Sequence, residues 1–509
     1  MRYSSWDEIE NLTAAELELK RCAEKGIPCK LGAHDEIPPE PVDWTQLEDN
    51  RHIRAEVLRC IILRKPGCNT TEKGVDLKNA YISGQLDLSN CEVQHPFVLD
   101  HCVFNEGINL EDSNWKEKIK LTNCSIPYIT ASGISVDKYF DLLGTTIRSI
   151  DRAALDLQDG RIHQNLALDA ARIYGLVDLI DLQVDRQFTC KDATFQLKEN
   201  NVEFYSDGNR VVMDLQGARI HTAIFKAKHI AGGVDLNSSH IENFKDDQST
   251  WAATEHLKLD GFTYTRLYGA VSAAVRSQWL ERGEQHGFYP QPYKQLAKTL
   301  HEMGHETDAE SILYILAKKS AKEQRKDLYQ KIVERAEHPH QPKSSLRLLL
   351  RLFGHILWNF FLRRLVGYGR KPFRSILVLL FLILCCWIIS LKAWEEGSFA
   401  PNSDVILSSS SWEKYEELRF PYPYKINPAD DWSNSTIQGR DWESFKAIAY
   451  AADIVIPIIN FGQTEAWAPS TTRGPWGKRL WWSRWILTTA GWIVTALGAA
   501  ALTGIIRRE

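Results

Sequence analysis

Between Val75 and Ile126 one pattern returns every eleven residues, and it leaves this chain few folds to choose from. A leucine recurs at Leu77, Leu88, Leu99, Leu110 and Leu121, and two residues before each stand Val75, Leu86, Phe97, Ile108 and Ile119. Three residues after each leucine comes Ala80, Cys91, Cys102, Ser113 or Cys124, and five after it Ile82, Val93, Phe104, Trp115 or Ile126. Columns kept in register this way mark a repeat architecture. The apolar-x-Leu spacing puts both side chains on one face of a strand, and the columns lack the three-and-four spacing of a helix. Strands so short bury nothing alone, so coils must stack and share one interior, with the small residue at a tight corner. The spacing predicts a β-solenoid over 73–265 in which each eleven-residue unit is half a coil. Beyond Ile126 the register continues through Leu142, Leu157, Leu168, Leu179 and Cys190, then Leu215, Leu236 and Leu259.

A solenoid needs covered ends, because an open coil presents unpaired strand edges. Residues 1–72 are the expected N-terminal helical cap, with a capping box at Thr13-Ala-Ala-Glu16 and helical spacing from Ile53 to Leu63. Residues 266–340 read as a helical hairpin, Pro292 to Met303 and Thr307 to about Glu334, turning at Gly304, with a second capping box at Thr307-Asp-Ala-Glu310.

Two later runs are uncharged and long enough for a hydrocarbon layer of about 30 Å. The first span is placed at 375–394 and the second at 485–509, the latter closed by the basic tail Arg507-Arg508. Arg363, Arg364, Arg370, Lys371 and Arg374 precede the first span, which predicts that both termini are cytoplasmic and that 395–484 is outside. Tryptophans 394, 467, 476, 481, 482 and 485 gather where the outer interface would lie. Segment 341–374 is read as a basic interfacial helix, with Arg347, Arg351, His355 and Asn359 on one stripe. Ala447–Asn460 is apolar but too short to cross and contains Asp453 and Pro457, so a re-entrant or interfacial element is expected there.

Composition narrows the function classes. Lys+Arg 61 against Asp+Glu 65 leaves no global basic field for nucleic acid. The ten cysteines include no Cys-x-x-Cys pair, which fits reduced thiols buried in a cytosolic region. The first residues lack the apolar core of a cleaved signal peptide.

The eleven-residue columns, Pro290-Gln-Pro-Tyr-Lys-Gln-Leu-Ala297, Met303-Gly-His305, Tyr368-Gly-Arg-Lys-Pro372 and Asp453-Ile-Val-Ile-Pro-Ile-Ile-Asn-Phe-Gly-Gln463 together resemble a group of bacterial membrane proteins with pentapeptide-like repeats, some called membrane-associated oxidoreductases. The resemblance implies a solenoid and an inner-membrane location. Neither a dinucleotide fingerprint nor a dithiol pair accompanies it, so no cofactor is expected.

Three groups of residues carry candidate chemistry. His301-Glu302-Met303-Gly304-His305 spells a zinc-peptidase motif, but Gly304 is expected to end the helix that would aim His301 and His305 at one metal. A span, an outer loop, a short re-entrant helix and a second span resemble the pore unit of two-span ion channels, which would place Asn460, Phe461, Gly462, Gln463, Thr464 and Glu465 along the path. Ala496, Ala500 and Gly504 repeat every four residues, a small face suited to helix packing in lipid and to a homo-oligomer. The reading is a membrane-tethered cytosolic solenoid that recognises a protein or small molecule, joined to an oligomeric two-span module. Its alternatives are a channel or membrane-permeabilising effector and, last, a zinc peptidase.

Overall fold

The computed structural model describes residues 3–32, 50–149, 151–197, 205–206, 209–251, 254–336, 342–417 and 427–505. The basic tail Arg507-Arg508 lies outside them. Contacts divide the chain into two compact units, Met1–Leu316 and Ala317–Glu509.

The first unit is a parallel β-solenoid of about eight turns. In its first coil Val75–Lys78, Tyr81–Ser83, Leu86–Asp87 and Glu92–Val93 form the sides. Val75 pairs with Phe97 and Phe97 with Ile119, so one coil takes 22 residues, two of the sequence repeats. Ile82 stacks on Phe104, Leu86 on Ile108 and Trp115 on Val93 in the same way. The predicted columns form the interior, with Leu77, Leu88, Leu99, Leu110 and Leu121 fully buried. Cys91 differs from its column and is only half-buried.

Corners are made by the residue just before each small one. Asn79, Asn90, His101, Asp112 and Asn123 all have positive φ, as do Gly133, Gly144, Asp159, Ala170, Asp181 and Asp192 farther along. Asn, Asp and Gly are the residues that enter this left-handed region at least cost. Aspartates three residues before a corner tie it down: Asp87 accepts from Ser89 N, Asp156 from Gln158 N and Asp178 from Ile180 N. In the later coils the corners soften, and single bent strands such as Gln183–Thr189 serve two sides, with a register shift between Val184 and Gln187.

Both ends are closed. Helix α1 (Ala14–Lys25) starts in the predicted capping box, in which Glu16 N donates to Thr13 Oγ1 and Thr13 N to the Glu16 carboxylate. That buried carboxylate also accepts the Arg54 backbone N–H, Nε and Nη2, locking α1 to the start of α2 (Ala55–Ile62). The N-terminal region also extends the solenoid, because Cys29 pairs with Leu77 and Ile53 with Ile82. At the far end come α3 (Ala273–Glu281) and α4 (Pro290–Glu302). The Gln295 amide and the Thr299 hydroxyl both donate to the Tyr264 carbonyl, so α4 satisfies part of the last open edge. Helix α5 (Glu306–Ala336) begins at Glu306, which places Thr307 inside the first turn instead of at the expected cap.

In the second unit, α6 (Pro342–Phe361) leads through a π-helical turn, Leu362–Val366, to α7 (Phe373–Glu395). A short α8 (Ala447–Val455) and α9 (Pro475–Leu502) follow. Helices α7 and α9 are long and apolar enough to cross a membrane. Helix α9 starts at Pro475, ten residues before the uncharged run that marks it in sequence. Its charged first turns persist because Glu396 accepts the Trp476 and Gly477 N–H groups while Arg479 lies over the Trp476 ring.

Candidate functional site

The candidate site of the second unit lies where α8 meets α7 and α9. Gly498 faces Ser375 and Gly477 faces Ser398, so α7 and α9 run antiparallel along their whole length. By that register Gly491 is level with the middle of α7. Helix α8 begins beside the far end of α7, where Phe445 stacks on Trp394 with centroids 4.2 Å apart and planes 7° from parallel. It ends at Val455, whose carbonyl packs on Gly491. At ~1.5 Å per residue the ten steps from Phe445 to Val455 span ~15 Å, about half the length of α7. The segment therefore enters from one end, stops halfway at Pro457, and returns.

What turns the chain is Asp453. Its carboxylate accepts the backbone N–H groups of Phe461 at 2.6 Å, Gln463 at 2.8 Å and Thr464 at 3.3 Å. Gly462, with φ +77, supplies the left-handed step this wrapping needs. Asn460 donates from Nδ2 to Glu465 and accepts from Gly462 N. Gln463 is buried, donating to Glu443 and to the Ser444 carbonyl and accepting from Lys446 N, which pins the returning strand to the start of α8. The tip is left bare: Ile458 is 80% and Phe461 55% exposed, and Asn460 and Glu465 are exposed as well.

Of the strip expected from sequence, Asn460, Phe461, Gly462, Thr464 and Glu465 come together at this tip, while Gln463 is a buried strut. Sequence reasoning did not single out Asp453 as a site residue. Its signal in the sequence is an ionisable side chain inside an otherwise uncharged apolar segment.

The small residues that α9 buries within the chain are not those of the expected stripe. Gly491, Gly498 and Ala501 are buried, whereas Ala496 is exposed and Ala500 half-buried on another face. Gly504, with φ +78, lies past the helix end at Leu502 and leaves the stripe. His355 Nε2 lies 3.3 Å from the Ala321 carbonyl of α5, while Leu350, Phe353 and Trp358 are 62%, 66% and 55% exposed.

The remaining candidates do not assemble. Helix α4 ends at Glu302 and Gly304 has φ +82, so His301 and His305 do not share a helical face; His301 Nδ1 pairs instead with Glu306 at 2.7 Å. No group of three metal-ligating side chains occurs among the described residues. Apart from the half-buried Cys91 the column cysteines are interior, and burial pushes the Cys190 thiol up to about 12, far from a reactive thiolate. Comparison of the chain with protein-family models, with curated proteins and with solved structures finds no match.

Proposed function

We propose that this chain is a membrane-anchored sensing protein in which a cytosolic solenoid recognises a ligand and an oligomeric two-span module opens an ion path along the α8 loop. The observation that carries the reading is the polar tip built by Asp453 halfway down two apolar helices. In hydrocarbon, irregular backbone and carboxylates are tolerated only where they are buried in protein or line water. Within one chain Asn460 and Glu465 are exposed, so copies meeting around the tip would give them that environment. The outward Ala496 and Ala500 suit close helix approach between copies.

Lipid is the solvent that the outward apolar faces of α6 and α7 call for, and the arginines before α7 favour cytoplasmic termini. The eleven-residue half-coil and the likeness to bacterial pentapeptide-like membrane proteins favour the inner membrane of a bacterium. A peptidase reading gains nothing from the separated His301 and His305.

Single-channel recording of the purified chain in a planar bilayer is the test. Discrete current steps, lost in Asp453→Ala while the protein still incorporates, are expected. A folded, oligomeric chain that stays silent over a range of voltages and salts would overturn the conduction half of the reading.

A further inference from the structure

From His338 to Trp394 the chain holds no Asp or Glu, and five cations, Arg363, Arg364, Arg370, Lys371 and Arg374, gather where α6 gives way to α7. The π-helical turn between the two helices is fixed from within, its Leu362, Leu365 and Val366 packed with Val494, Leu497 and Ala501 of α9. That places the cations at the end of the helix pair where α7 begins and α9 stops. Arg363 and Arg364 are exposed. Arg374 reaches back to give Nη1 to the Arg363 carbonyl at 3.2 Å, and the Arg364 guanidinium lies 5.8 Å from the centre of the Phe360 ring. Among the described residues no carboxylate pairs with any of these three arginines, and Glu323 and Asp327 of α5 are taken by Lys326 and Lys331. Like charges held together without a counter-charge repel, and an anion relieves them. Beside them Phe360 and Phe373 are 55% and 77% exposed.

We infer that the junction of α6 and α7 binds an anionic phospholipid, with its phosphate among Arg363, Arg364 and Arg374 and its acyl chains against Phe360 and Phe373. Free phosphate would satisfy the cations and leave both phenyl rings in water, whereas a lipid takes the two together. A zwitterionic headgroup brings its own ammonium into the cluster, so a lipid of net negative charge is preferred. All three cations are guanidinium groups, whose planar forks match phosphate oxygens. Because Leu362, Leu365 and Val366 are buried, the turn that presents Arg363 and Arg364 is set before any lipid arrives, which lowers the cost of binding. The inference rests on α7 and α9 crossing a bilayer, and it stands whether or not the membrane module conducts.

The test places photoreactive benzoylphenylalanine at Phe373 or, as a reference, at the exposed Ile388, which lies about 22 Å farther along α7. The full chain is reconstituted in liposomes of equal phosphatidylcholine and phosphatidylglycerol and irradiated, and the lipids attached at each position are identified by mass spectrometry. Adducts at Phe373 should be enriched in phosphatidylglycerol at least about fivefold over those at Ile388. Inorganic phosphate in place of chloride at constant ionic strength should leave that ratio unchanged. Arg363→Gln, Arg364→Gln and Arg374→Gln together should bring Phe373 down to the ratio at Ile388. Equal ratios at the two positions with all three arginines present overturn the inference, as does enrichment that survives the three substitutions. Enrichment abolished by phosphate would make this a free-anion site, and crosslinks to protein in place of lipid would mean that a second copy covers the face; each overturns it. A chain that stays out of the liposomes overturns the membrane reading and this inference with it.

Discussion

Gly491 of α9 lies so close to the Val455 carbonyl that a Cβ at that glycine would stand 1.9 Å from the oxygen. The contact fixes how deep α8 reaches, since no other residue type leaves room for its end to touch α9. Gly491→Ala should force the two apart at a cost of about 1–3 kcal/mol, the usual penalty of overpacking. Thermal unfolding in detergent and protease access at Ile458 report the change. An unaltered melting point with an unaltered cleavage pattern would show that α8 does not dock there.

Asp453 organises the tip by accepting three backbone N–H groups, so Asp453→Ala leaves those donors without their acceptor. Amide exchange across 456–464 should accelerate by at least tenfold, equivalent to about 1.4 kcal/mol, with α7 and α9 unchanged. Asp453→Asn keeps one acceptor oxygen and should fall between. Equal protection in wild type and Asp453→Ala would remove Asp453 from its organising role.

A ladder of carboxylates runs up one side of the solenoid. Asp156 pairs in register with Asp178, Asp178 with Asp214 and Asp214 with Asp235, and Lys258 closes it 3.2 Å from Asp235. Burial first, then the neighbouring carboxylates, raises Asp178 and Asp214 from the ordinary range to about 6. Between roughly pH 4 and 6 the folded state thus holds protons that the unfolded chain has released, and stability falls as pH rises through that window. Asp178→Asn keeps an acceptor for Ile180 N and removes the repulsion. It should raise the solenoid melting point by about 2–4 °C at pH 8, the size of a roughly 1 kcal/mol effect in a domain this large, and leave pH 4 unchanged. A gain that is equal at both pH values would contradict the ladder.

Ala170 occupies a corner with φ +55, where its neighbours one repeat away are Asp159 and Asp181. An alanine gains nothing in the left-handed region, which costs an L-residue roughly 1–2 kcal/mol. Ala170→Gly should therefore stabilise the solenoid by about 1 kcal/mol in urea unfolding, and a destabilised variant would show that the methyl packs usefully there.

The solenoid was legible because its interior is one pattern repeated, and every column residue from Val75 to Ile126 answers to the same stacking constraint. Its corners were legible in principle too: Asn79, Asn90, Asp112 and Asn123 are the residue types that enter the left-handed region, at a fixed place in the repeat. The α8 site was legible only in outline. Length and Pro457 marked Ala447–Asn460 as too short to cross, but the depth of its end depends on Gly491, 36 positions beyond Val455. No local pattern announces such a pairing. Likewise the start of α9 at Pro475 follows from Glu396 reaching across to its first N–H groups, a long-range contact that hydropathy does not register.

The proposed conduction requires that the tip sit in a water-filled path at mid-depth. Asn460→Cys protein reconstituted in a planar bilayer and exposed to a charged methanethiosulfonate from the side of the start of α8 measures this directly. Stepwise, thiol-dependent block of current is expected in Asn460→Cys and none in the unsubstituted chain. Full conductance after verified modification of Asn460→Cys, or no modification in conducting channels, would contradict it.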